Sequence, residues 1–382
     1  MIQAHGGQLI RQVIENQASQ DWLTYAETLH KLYLTEHSLS DLYLLGTGGY
    51  SPLRGFMGEK EWLSVLQTMT LLDETIWPIP ITLPVTSQEV AWCTVGQDMA
   101  LCDQKGDPCG LLQVEEVFCV DRQVESEGIY ATHDDEHPGV RLITKRSPYR
   151  VAGPIQLLSS HFLLHTPYLM DPVATRAWFN EHGWQQIVGF QTRNPIHRAH
   201  EYMQKIALEV FDGLFLQPLV GMTKQDDLPA SLRLKSYEVL LQYYYPKDRV
   251  LLGIYPGAMY YAGPKEAILH AIVRQNYGCT HMIIGRDHAG VGHYYDPYAA
   301  QRIFSEIPPD GLAIKPLFFD HAFYCRACDS MATEKTCPHD SEKRLSLSGT
   351  AVRSMLKKGL RPPKEYSRAE VADVLIAGLQ PE

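Results

Sequence analysis

Short apolar runs alternate with longer amphipathic segments along the second half of the chain, from about residue 169 onward. The short runs predict buried strands, and apolar residues three and four positions apart predict helices. The predicted strands are 185–190, 214–219, 250–255, 281–285 and 313–319. The predicted helices are 172–182, 197–210, 231–244, 264–276 and 296–305. This repeated alternation indicates an α/β fold, with a mostly parallel sheet and helices on both of its faces.

The first 165 residues have a different pattern, in which short β-branched and aromatic runs are separated by Gly, Pro and Asp. This pattern predicts a β-rich region with strands at 79–85, 99–102 and 109–114, a hairpin loop at 103–107, and helices at 8–17 and 59–68. We therefore divide the chain into three parts. They are a β-rich N-terminal domain over 1–168, an α/β domain over 169–320 and a C-terminal region over 321–382.

The composition is that of a globular protein, because 45% of the 382 residues are hydrophobic and only 20% are charged. The net charge of −10 disfavours nonspecific binding to nucleic acid or acidic membranes, so an anionic substrate would need a local basic cluster. No apolar run reaches the roughly 18 residues of a membrane span, and the N-terminus does not resemble a signal peptide. We therefore predict a cytoplasmic protein with no membrane or nucleic-acid partner.

A polar turn follows the apolar run 187–190 and contains an arginine between amide and hydroxyl side chains. His197 and His200 come next, and their three-residue spacing places both on one face of the opening helical turn. In a parallel α/β sheet this turn lies at the carboxyl edge of the strands, where ligands bind and a helix N-terminus attracts anions. The residue types therefore predict a site for a polyphosphate or another oxyanion.

A second turn, residues 285–292, follows the predicted strand 281–285 and is rich in glycine. Glycine lets the backbone approach a ligand closely, and Arg286 offers a fork of hydrogen-bond donors to an oxyanion. Taken alone, such a loop is equally well explained as a tight turn. Because both turns follow parallel strands, we expect them to face each other across one crevice.

Two further segments carry weaker signals, each with an ordinary alternative. Lys224 follows the predicted strand 214–219 and is either a phosphate contact or a solvent-exposed lysine. Ser348, Gly349 and Thr350 open a helical stretch and resemble a phosphate-binding helix start, although Ser348 is equally suited to be an ordinary N-cap.

A cysteine-rich segment near the C-terminus combines Cys325 and Cys328 with Cys337 and His339. Two close pairs of soft ligands separated by a short loop predict a tetrahedral Zn²⁺ site, with His321 as a substitute fourth ligand. A Cys-x-x-Cys pair alone could instead be a redox pair, but the second pair favours zinc. Four protein ligands leave no open coordination position, so the predicted role is structural. The remaining cysteines are predicted to be reduced and mostly buried: Cys93, Cys102, Cys109, Cys119 and Cys279.

Taken together, these segments resemble the ATP sulfurylase (sulfate adenylyltransferase) family over essentially the whole chain. The two turns carry the most specific matches, Gln-Thr-Arg-Asn-Pro-x-His-x-x-His and Gly-Arg-Asp-His-Ala-Gly. The matching stretches are 48–57, 191–200, 221–224, 258–259, 270–278 and 285–292. The cysteine cluster is similar to that of the zinc-carrying prokaryotic members, and we expect no fused kinase domain.

The resemblance implies a Rossmann-like nucleotidyltransferase catalytic domain, a PUA-like N-terminal domain and a small zinc-containing C-terminal region. It implies that MgATP and sulfate form adenosine 5′-phosphosulfate and pyrophosphate, reversibly, by in-line attack of sulfate on the α-phosphorus. The implied cofactors are Mg²⁺ with the ATP and a structural Zn²⁺, and the implied assembly is a homodimer.

The resemblance also implies a role for each matching residue. Sulfate would be held by Gln191, Arg193, Arg286 and the backbone N–H of Ala289. The ATP phosphates would contact Thr192, Asn194, His197 and His200, and Gly285, Asp287 and His288 would lie along the nucleotide, with Gln191, Arg193 and Arg286 bordering both substrates. The catalytic set would be Thr192, Arg193, Asn194, His197, His200 and Arg286.

Two alternative functions remain at this point. The chain could be an adenylyltransferase for an acceptor other than sulfate. It could also be an RNA-binding protein that uses the PUA-like domain beside a vestigial catalytic half, in which case residues 1–165 would carry a basic face. The acidic net charge counts against this second alternative.

Overall fold

The computed structural model describes residues 1–158, 167–221, 228–345, 347 and 349–380. Its elements fall into three groups along the chain, with short 3-10 turns between some of them. The N-terminal strands are β1 (Val13–Ile14), β2 (Lys31–Tyr33), β3 (Gly55–Phe56), β4 (Leu83–Pro84), β5 (Asp98–Cys102), β6 (Pro108–Gln113), β7 (Glu116–Cys119) and β8 (Tyr149–Leu158). The N-terminal helices are α1 (Asn16–Glu27), α2 (Glu36–Thr47), α3 (Glu59–Thr68), α4 (Ser87–Val90), α5 (Arg122–Tyr130) and α6 (Pro138–Lys145).

Strands and helices alternate through the second group, as the hydrophobic pattern predicts. Its elements are α7 (Pro172–Glu181), β9 (Ile187–Phe190), α8 (Arg198–Val210), β10 (Gly213–Leu216), α9 (Ala230–Tyr244), β11 (Val250–Leu252), α10 (Pro264–Asn276), β12 (His281–Ile284), α11 (Ala299–Arg302) and β13 (Lys315–Phe318). The C-terminal group contains β14 (Phe323–Cys325), β15 (Ser330–Ala332), β16 (Arg344–Leu345), α12 (Gly349–Lys357) and α13 (Ala369–Leu379).

The second group forms a five-stranded sheet in the order β11-β10-β9-β12-β13, and every neighbouring pair is parallel. Successive side chains of β10 point to opposite faces, so that Phe215 joins one hydrophobic core while Leu214 and Leu216 join the other. Helices α7 and α10 contribute to the first core, and α8, α9, α12 and α13 contribute to the second. The predicted parallel sheet with helices on both faces is therefore confirmed.

The predicted helix over 296–305 is shorter than expected and consists of two pieces. Helix α11 spans Ala299–Arg302, and a 3-10 turn continues from Ile303 to Glu306. The backbone N–H of Tyr298 bonds the side chain of Asp296, so the chain forms a local turn there before the helix begins.

The N-terminal strands form one sheet around β8, which pairs with β1, β3, β4, β6 and β7. The predicted hairpin is present, because β5 and β6 pair antiparallel on either side of residues 103–107. The predicted helix at 59–68 is also present as α3. The mixed α/β architecture with a β-rich N-terminal part therefore agrees with the sequence.

The predicted helix over 8–17 is wrong, because β1 lies inside that range and α1 begins only at Asn16. Val13 and Ile14 pair in parallel with Leu157 and Leu158 of β8. Leu9, Ile10, Val13 and Ile14 have the four-residue spacing that a helix allows, but the pairing with β8 decides the conformation.

The predicted strand over 79–85 is reduced to Leu83–Pro84. Ile79 and Ile81 are fully buried but not in a strand. Pro78 and Pro80 lack the N–H groups that a ladder needs, which explains why this apolar run packs without pairing.

Asn276, the last residue of α10, ties the N-terminal region to the α/β region. Its Nδ2 atom donates to the carbonyl oxygens of Gly49 and Ser51, each at 3.0 Å, and its Oδ1 accepts from the backbone N–H of His5 at 2.9 Å. The larger hydrophobic core is also shared between the two regions. Helix α10, which packs against β12, is therefore also fixed against the N-terminal region. None of the helices within the described ranges is long and apolar enough to cross a membrane.

Candidate functional site

The candidate site lies where the order of the parallel strands reverses. Strand β9 is followed in sequence by β10, its neighbour on one side. Its neighbour on the other side, β12, follows in sequence only after β11. The loops after β9 and β12 therefore leave the sheet in different directions and open a crevice at its carboxyl edge. These loops are the two polar turns that the sequence analysis predicted to face each other.

The two turns enclose a cleft of about 360 Å³. All residues assigned to sulfate or ATP on the sequence line this one cleft: Gln191, Thr192, Arg193, Asn194, His197, His200, Gly285, Arg286, Asp287, His288 and Ala289. The same cleft is also lined by Met259, Asp320 and His321. His321, a substitute metal ligand on the sequence alone, lines the cleft in the structure.

Hydrogen bonds from side chains to backbone groups hold the first turn in place. Thr192 Oγ1 accepts from the backbone N–H of Asn194 at 3.0 Å, which closes a small turn. The buried Arg233 on α9 donates to the carbonyl oxygens of Arg193 at 3.0 Å and Leu219 at 2.7 Å. Tyr237 donates to the Asn194 carbonyl at 2.9 Å. These anchors leave the side chains at 191 and 193 available to line the cleft.

Three buried polar atoms around this turn have no hydrogen-bond partner among the described residues. They are Gln191 Oε1, Arg193 Nη1 and His200 Nδ1. The Arg193 guanidinium lies over the Tyr261 ring, 5.2 Å from the ring centre, in a cation–π contact that helps to hold the guanidinium in place. Because buried polar groups are nearly always paired, three such atoms around one cleft indicate a polar ligand.

The two histidines stack, with 3.9 Å between their ring centres. His197 is the N-cap residue of α8, but its side chain makes no capping hydrogen bond. Burial lowers the pKa of His197 to about 4, with a smaller contribution from His321, and burial lowers the pKa of His200 well below its ordinary value. Both rings are therefore neutral at pH 7 in the free protein, and each offers one N–H donor.

The second turn bends sharply back on itself. Asp287 and Ala289 have φ values of 56°, in the left-handed region that few residues other than glycine adopt. Among the described residues, no atom lies within 4 Å of the position that a Cβ would occupy on Gly285, at the start of the turn. The open space above Gly285 belongs to the cleft, which leaves room for a ligand to approach the backbone there.

A second cavity of about 500 Å³ shares Asn194, His197, Arg286 and His321 with this cleft. Its outer wall comes from the C-terminal group and includes Tyr324, Leu347, Gly349, Arg353 and Tyr366. Sequence reasoning missed the aromatic members because no spacing links them to the two turns. Residues 222–227 and Ser348, which include the weaker candidate Lys224, lie outside the described residues.

The predicted metal ligands Cys325, Cys328, Cys337 and His339 form one cluster, with all four ligand atoms within 4.8 Å of one another. His339 Nδ1 lies 3.6, 3.2 and 3.7 Å from the sulfur atoms of Cys325, Cys328 and Cys337, and the last two sulfurs are 3.8 Å apart. A tetrahedral ion with bonds of about 2.3 Å to sulfur and about 2.0 Å to nitrogen separates its ligands by roughly 3.5–3.8 Å. The cluster therefore fits a metal ion with four protein ligands.

The chain matches known proteins along nearly its whole length. The family model described as ATP-sulfurylase matches residues 166–378, and the model of a PUA-like domain matches residues 2–160. A sulfate adenylyltransferase of Synechococcus sp. (strain JA-3-3Ab) is 50% identical over 99% of this chain and 97% of its own length. Sulfate adenylyltransferases of Synechocystis sp. (strain ATCC 27184 / PCC 6803 / Kazusa) and Halothermothrix orenii are 49% and 47% identical over 100% of this chain, and over 98% and 100% of their own lengths.

A solved structure described as a hexameric APS kinase from Thiobacillus denitrificans matches with a TM-score of 0.77 and 26% identity. The match covers 98% of this chain and 68% of that chain. These similarities favour the nucleotidyltransferase hypothesis over an RNA-binding protein with a vestigial catalytic half. The chain belongs to the ATP-sulfurylase family.

Proposed function

We propose that this protein is a sulfate adenylyltransferase, which converts MgATP and sulfate into adenosine 5′-phosphosulfate and pyrophosphate, reversibly. The observation that carries the proposal is the convergence of the two polar turns on one cleft with unpartnered buried polar atoms. Family membership supports the same activity.

The reaction asks little of a protein beyond positioning and charge stabilisation. A sulfate oxygen attacks the α-phosphorus in line with the departing pyrophosphate, so no side chain has to act as nucleophile. Sulfate is a weak nucleophile and the α-phosphate is shielded by negative charge. The site must therefore bring the two anions together and supply donors where negative charge grows. A cleft lined by two arginines and three histidines of the turns meets that need.

In this proposal the sulfate lies among Gln191, Arg193, Arg286 and the backbone N–H of Ala289. Arg193 has a buried Nη1 atom without a partner among the described residues, and its guanidinium rests against Tyr261. Arg286 is exposed at the opposite turn and can swing toward the same anion. Two guanidinium groups from facing turns would hold the sulfate in a fixed orientation.

Thr192, Asn194, His197 and His200 would contact the ATP phosphates, with Gly285, Asp287 and His288 along the nucleotide. Neutral imidazoles suit this role, because each can donate a hydrogen bond to a phosphate oxygen without adding a positive charge that neutralises the phosphate. As negative charge moves onto the leaving pyrophosphate, the N–H donors of both rings strengthen their bonds to it.

Mg²⁺ is the proposed partner of the ATP phosphates, whose charge it neutralises when bound. The carboxylates lining the cleft are Asp287 and Asp320, and Asp320 is paired with Lys335 at 3.2 Å. This small number of carboxylates is consistent with a Mg²⁺ ion that is held mainly by substrate phosphates and water.

The proposal is tested by measuring pyrophosphate release with ATP, Mg²⁺ and sulfate, coupled to a pyrophosphatase because sulfate activation is uphill. We expect release only when both ATP and sulfate are present. Folded protein that releases no pyrophosphate contradicts the proposal. Release with a phosphorylated acceptor but not with sulfate would instead identify an adenylyltransferase for another acceptor.

We also propose that the Cys3His cluster holds a structural Zn²⁺, because its donor set and ligand spacing suit zinc. Cys328→Ser is expected to reduce bound zinc well below one ion per chain and to lower the melting temperature by at least about 5 °C, since metal binding contributes to folding. Metal analysis and thermal unfolding measure both effects.

Cys119→Ser is the matched control, because Cys119 is also exposed and lies outside the cluster. It should leave both the zinc content and the melting temperature unchanged. A full zinc complement in Cys328→Ser would contradict the zinc assignment.

Three further statements remain predictions of the family resemblance and the sequence. They are the division of the chain after residues 168 and 320, the homodimeric assembly and the cytoplasmic location. The solved relative described as hexameric has a longer chain, and the match covers 68% of it.

A further inference from the structure

Helix α10 has a row of polar residues on the face that lies beneath the cleft. Glu266, His270 and Arg274 follow one another at four-residue spacing, and all three are fully buried. Buried polar groups usually have hydrogen-bond partners, so the contacts of this row show what it holds in place.

His270, the middle member of this row, contacts both polar turns. Its Nε2 atom lies 3.2 Å from the Nε2 of Gln191 in the first turn, and its Nδ1 lies 3.0 Å from the Nε2 of His288 in the second. The same His270 Nε2 is 3.4 Å from Glu266 Oε1. One buried ring therefore joins the two walls of the cleft.

The partners of Glu266 decide which nitrogen of His270 carries the proton. Burial raises the pKa of Glu266 to about 7, but its two carboxyl oxygens accept from the backbone N–H groups of Tyr260 and Ala262, each at 3.0 Å, which favours the carboxylate form with both oxygens as acceptors. Burial lowers the pKa of His270 well below its ordinary value, which leaves a neutral ring with a single proton. That proton is best placed on Nε2, between the Gln191 amide at 3.2 Å and the Glu266 oxygen at 3.4 Å, and Nδ1 then accepts from His288.

We propose that His270 is a positioning residue that fixes the Gln191 amide with its NH₂ group toward the anion. A half-turn of the amide exchanges its oxygen and nitrogen with almost no change in shape. Gln191 Oε1, which is buried and has no partner among the described residues, then accepts from His270 Nε2–H. The amide NH₂ is left to donate into the cleft, and because sulfate only accepts hydrogen bonds, the opposite orientation would repel it. This inference rests on the proposed function.

The test compares two His270 variants that each keep one half of the ring's polar contacts. The Gln side chain can place an N–H near the position of His Nε2, whereas the shorter Asn side chain reaches only the position of Nδ1. His270→Asn is expected to raise the KM for sulfate about tenfold, the effect of one lost hydrogen bond to an anion-binding group. His270→Gln should keep the KM for sulfate within about threefold of the unmodified protein.

A double-mutant cycle shows whether His270 acts through Gln191. In a Gln191→Ala background, His270→Asn should change the KM for sulfate by less than about twofold, because the group it positions is gone. The inference is overturned if His270→Asn and His270→Gln have equal effects, or if His270→Asn leaves the KM for sulfate unchanged. It is also overturned if His270→Asn has its full tenfold effect in the Gln191→Ala background.

Gln191→Glu provides a test that leaves the buried row intact. Its carboxylate can still accept from His270 but offers only oxygen to the anion, so we expect the KM for sulfate to rise at least about 30-fold. An unchanged KM in this variant overturns the inference even if the His270 variants do not fold. Failure of the proposed function is a separate outcome, because the unmodified protein would then show no sulfate-dependent pyrophosphate release.

Discussion

Arg193→Ala is expected to lower kcat/KM for sulfate by about 10²- to 10³-fold, the usual cost of removing a donor placed where charge develops. Arg193 lines the cleft, and its buried Nη1 atom has no partner among the described residues. The folded protein therefore loses little when the guanidinium is removed. The free energy of unfolding should change by less than about 1 kcal/mol, mostly through the lost packing on Tyr261.

The measurement is steady-state pyrophosphate release with sulfate as the varied substrate, together with denaturant unfolding of the same preparations. Arg302→Ala is the matched control, because Arg302 is exposed on α11 and is paired with Asp296 outside the cleft. The control should retain kcat/KM within about twofold. If Arg193→Ala also retained it, the assignment of Arg193 to the sulfate would be wrong.

Gly285→Ala is expected to raise the KM for ATP by about 10- to 200-fold, because a single methyl group occupies space that the nucleotide needs. The added Cβ meets no atom within 4 Å in the part of the chain that the structure describes, and the backbone of Gly285 is outside the left-handed region. Alanine therefore fits without strain and should make unfolding more costly by up to about 1 kcal/mol. The variant should be as stable as the unmodified protein, or more so, while binding ATP poorly.

Gly183→Ala is the crossed control for this prediction. Gly183 also has open space around its Cβ position, but it lies outside the cleft and its φ is 69°. Alanine at that position should lower stability slightly and leave the KM for ATP unchanged. Nucleotide titrations and thermal unfolding of both variants provide the data. A normal KM for ATP in Gly285→Ala would mean that the nucleotide lies elsewhere.

The alternation of apolar and polar segments is sufficient to predict the parallel sheet. Each strand is buried on both faces and is therefore apolar throughout, and each crossover between parallel strands needs a helix. The two turns were predictable for a related reason. In a parallel sheet every strand ends at the same edge, so polar residues after β9 and β12 meet if those strands are neighbours. Their convergence in one cleft agrees with that prediction.

The parts that sequence reasoning missed depend on contacts between distant segments. Leu9, Ile10, Val13 and Ile14 have the four-residue spacing of a helix, yet Val13 and Ile14 form a strand because they pair with β8. His321 was considered beside the cysteines because it is near them in sequence, yet it lines the cleft. His270 begins the family-like stretch 270–278, but a histidine inside an apolar helix gives no hint of its partners in two separate turns.

The most direct test of the central claim is the reverse reaction, which is strongly favourable and can be followed through the light produced by an ATP-dependent luciferase. Adenosine 5′-phosphosulfate and pyrophosphate are supplied with Mg²⁺, and ATP formation is recorded with and without each substrate. We expect ATP to appear only when both substrates are present, and its rate to fall by about 10²-fold or more in Arg193→Ala. Folded, metal-loaded protein that forms no ATP, or forms it equally well after Arg193→Ala, would contradict the account.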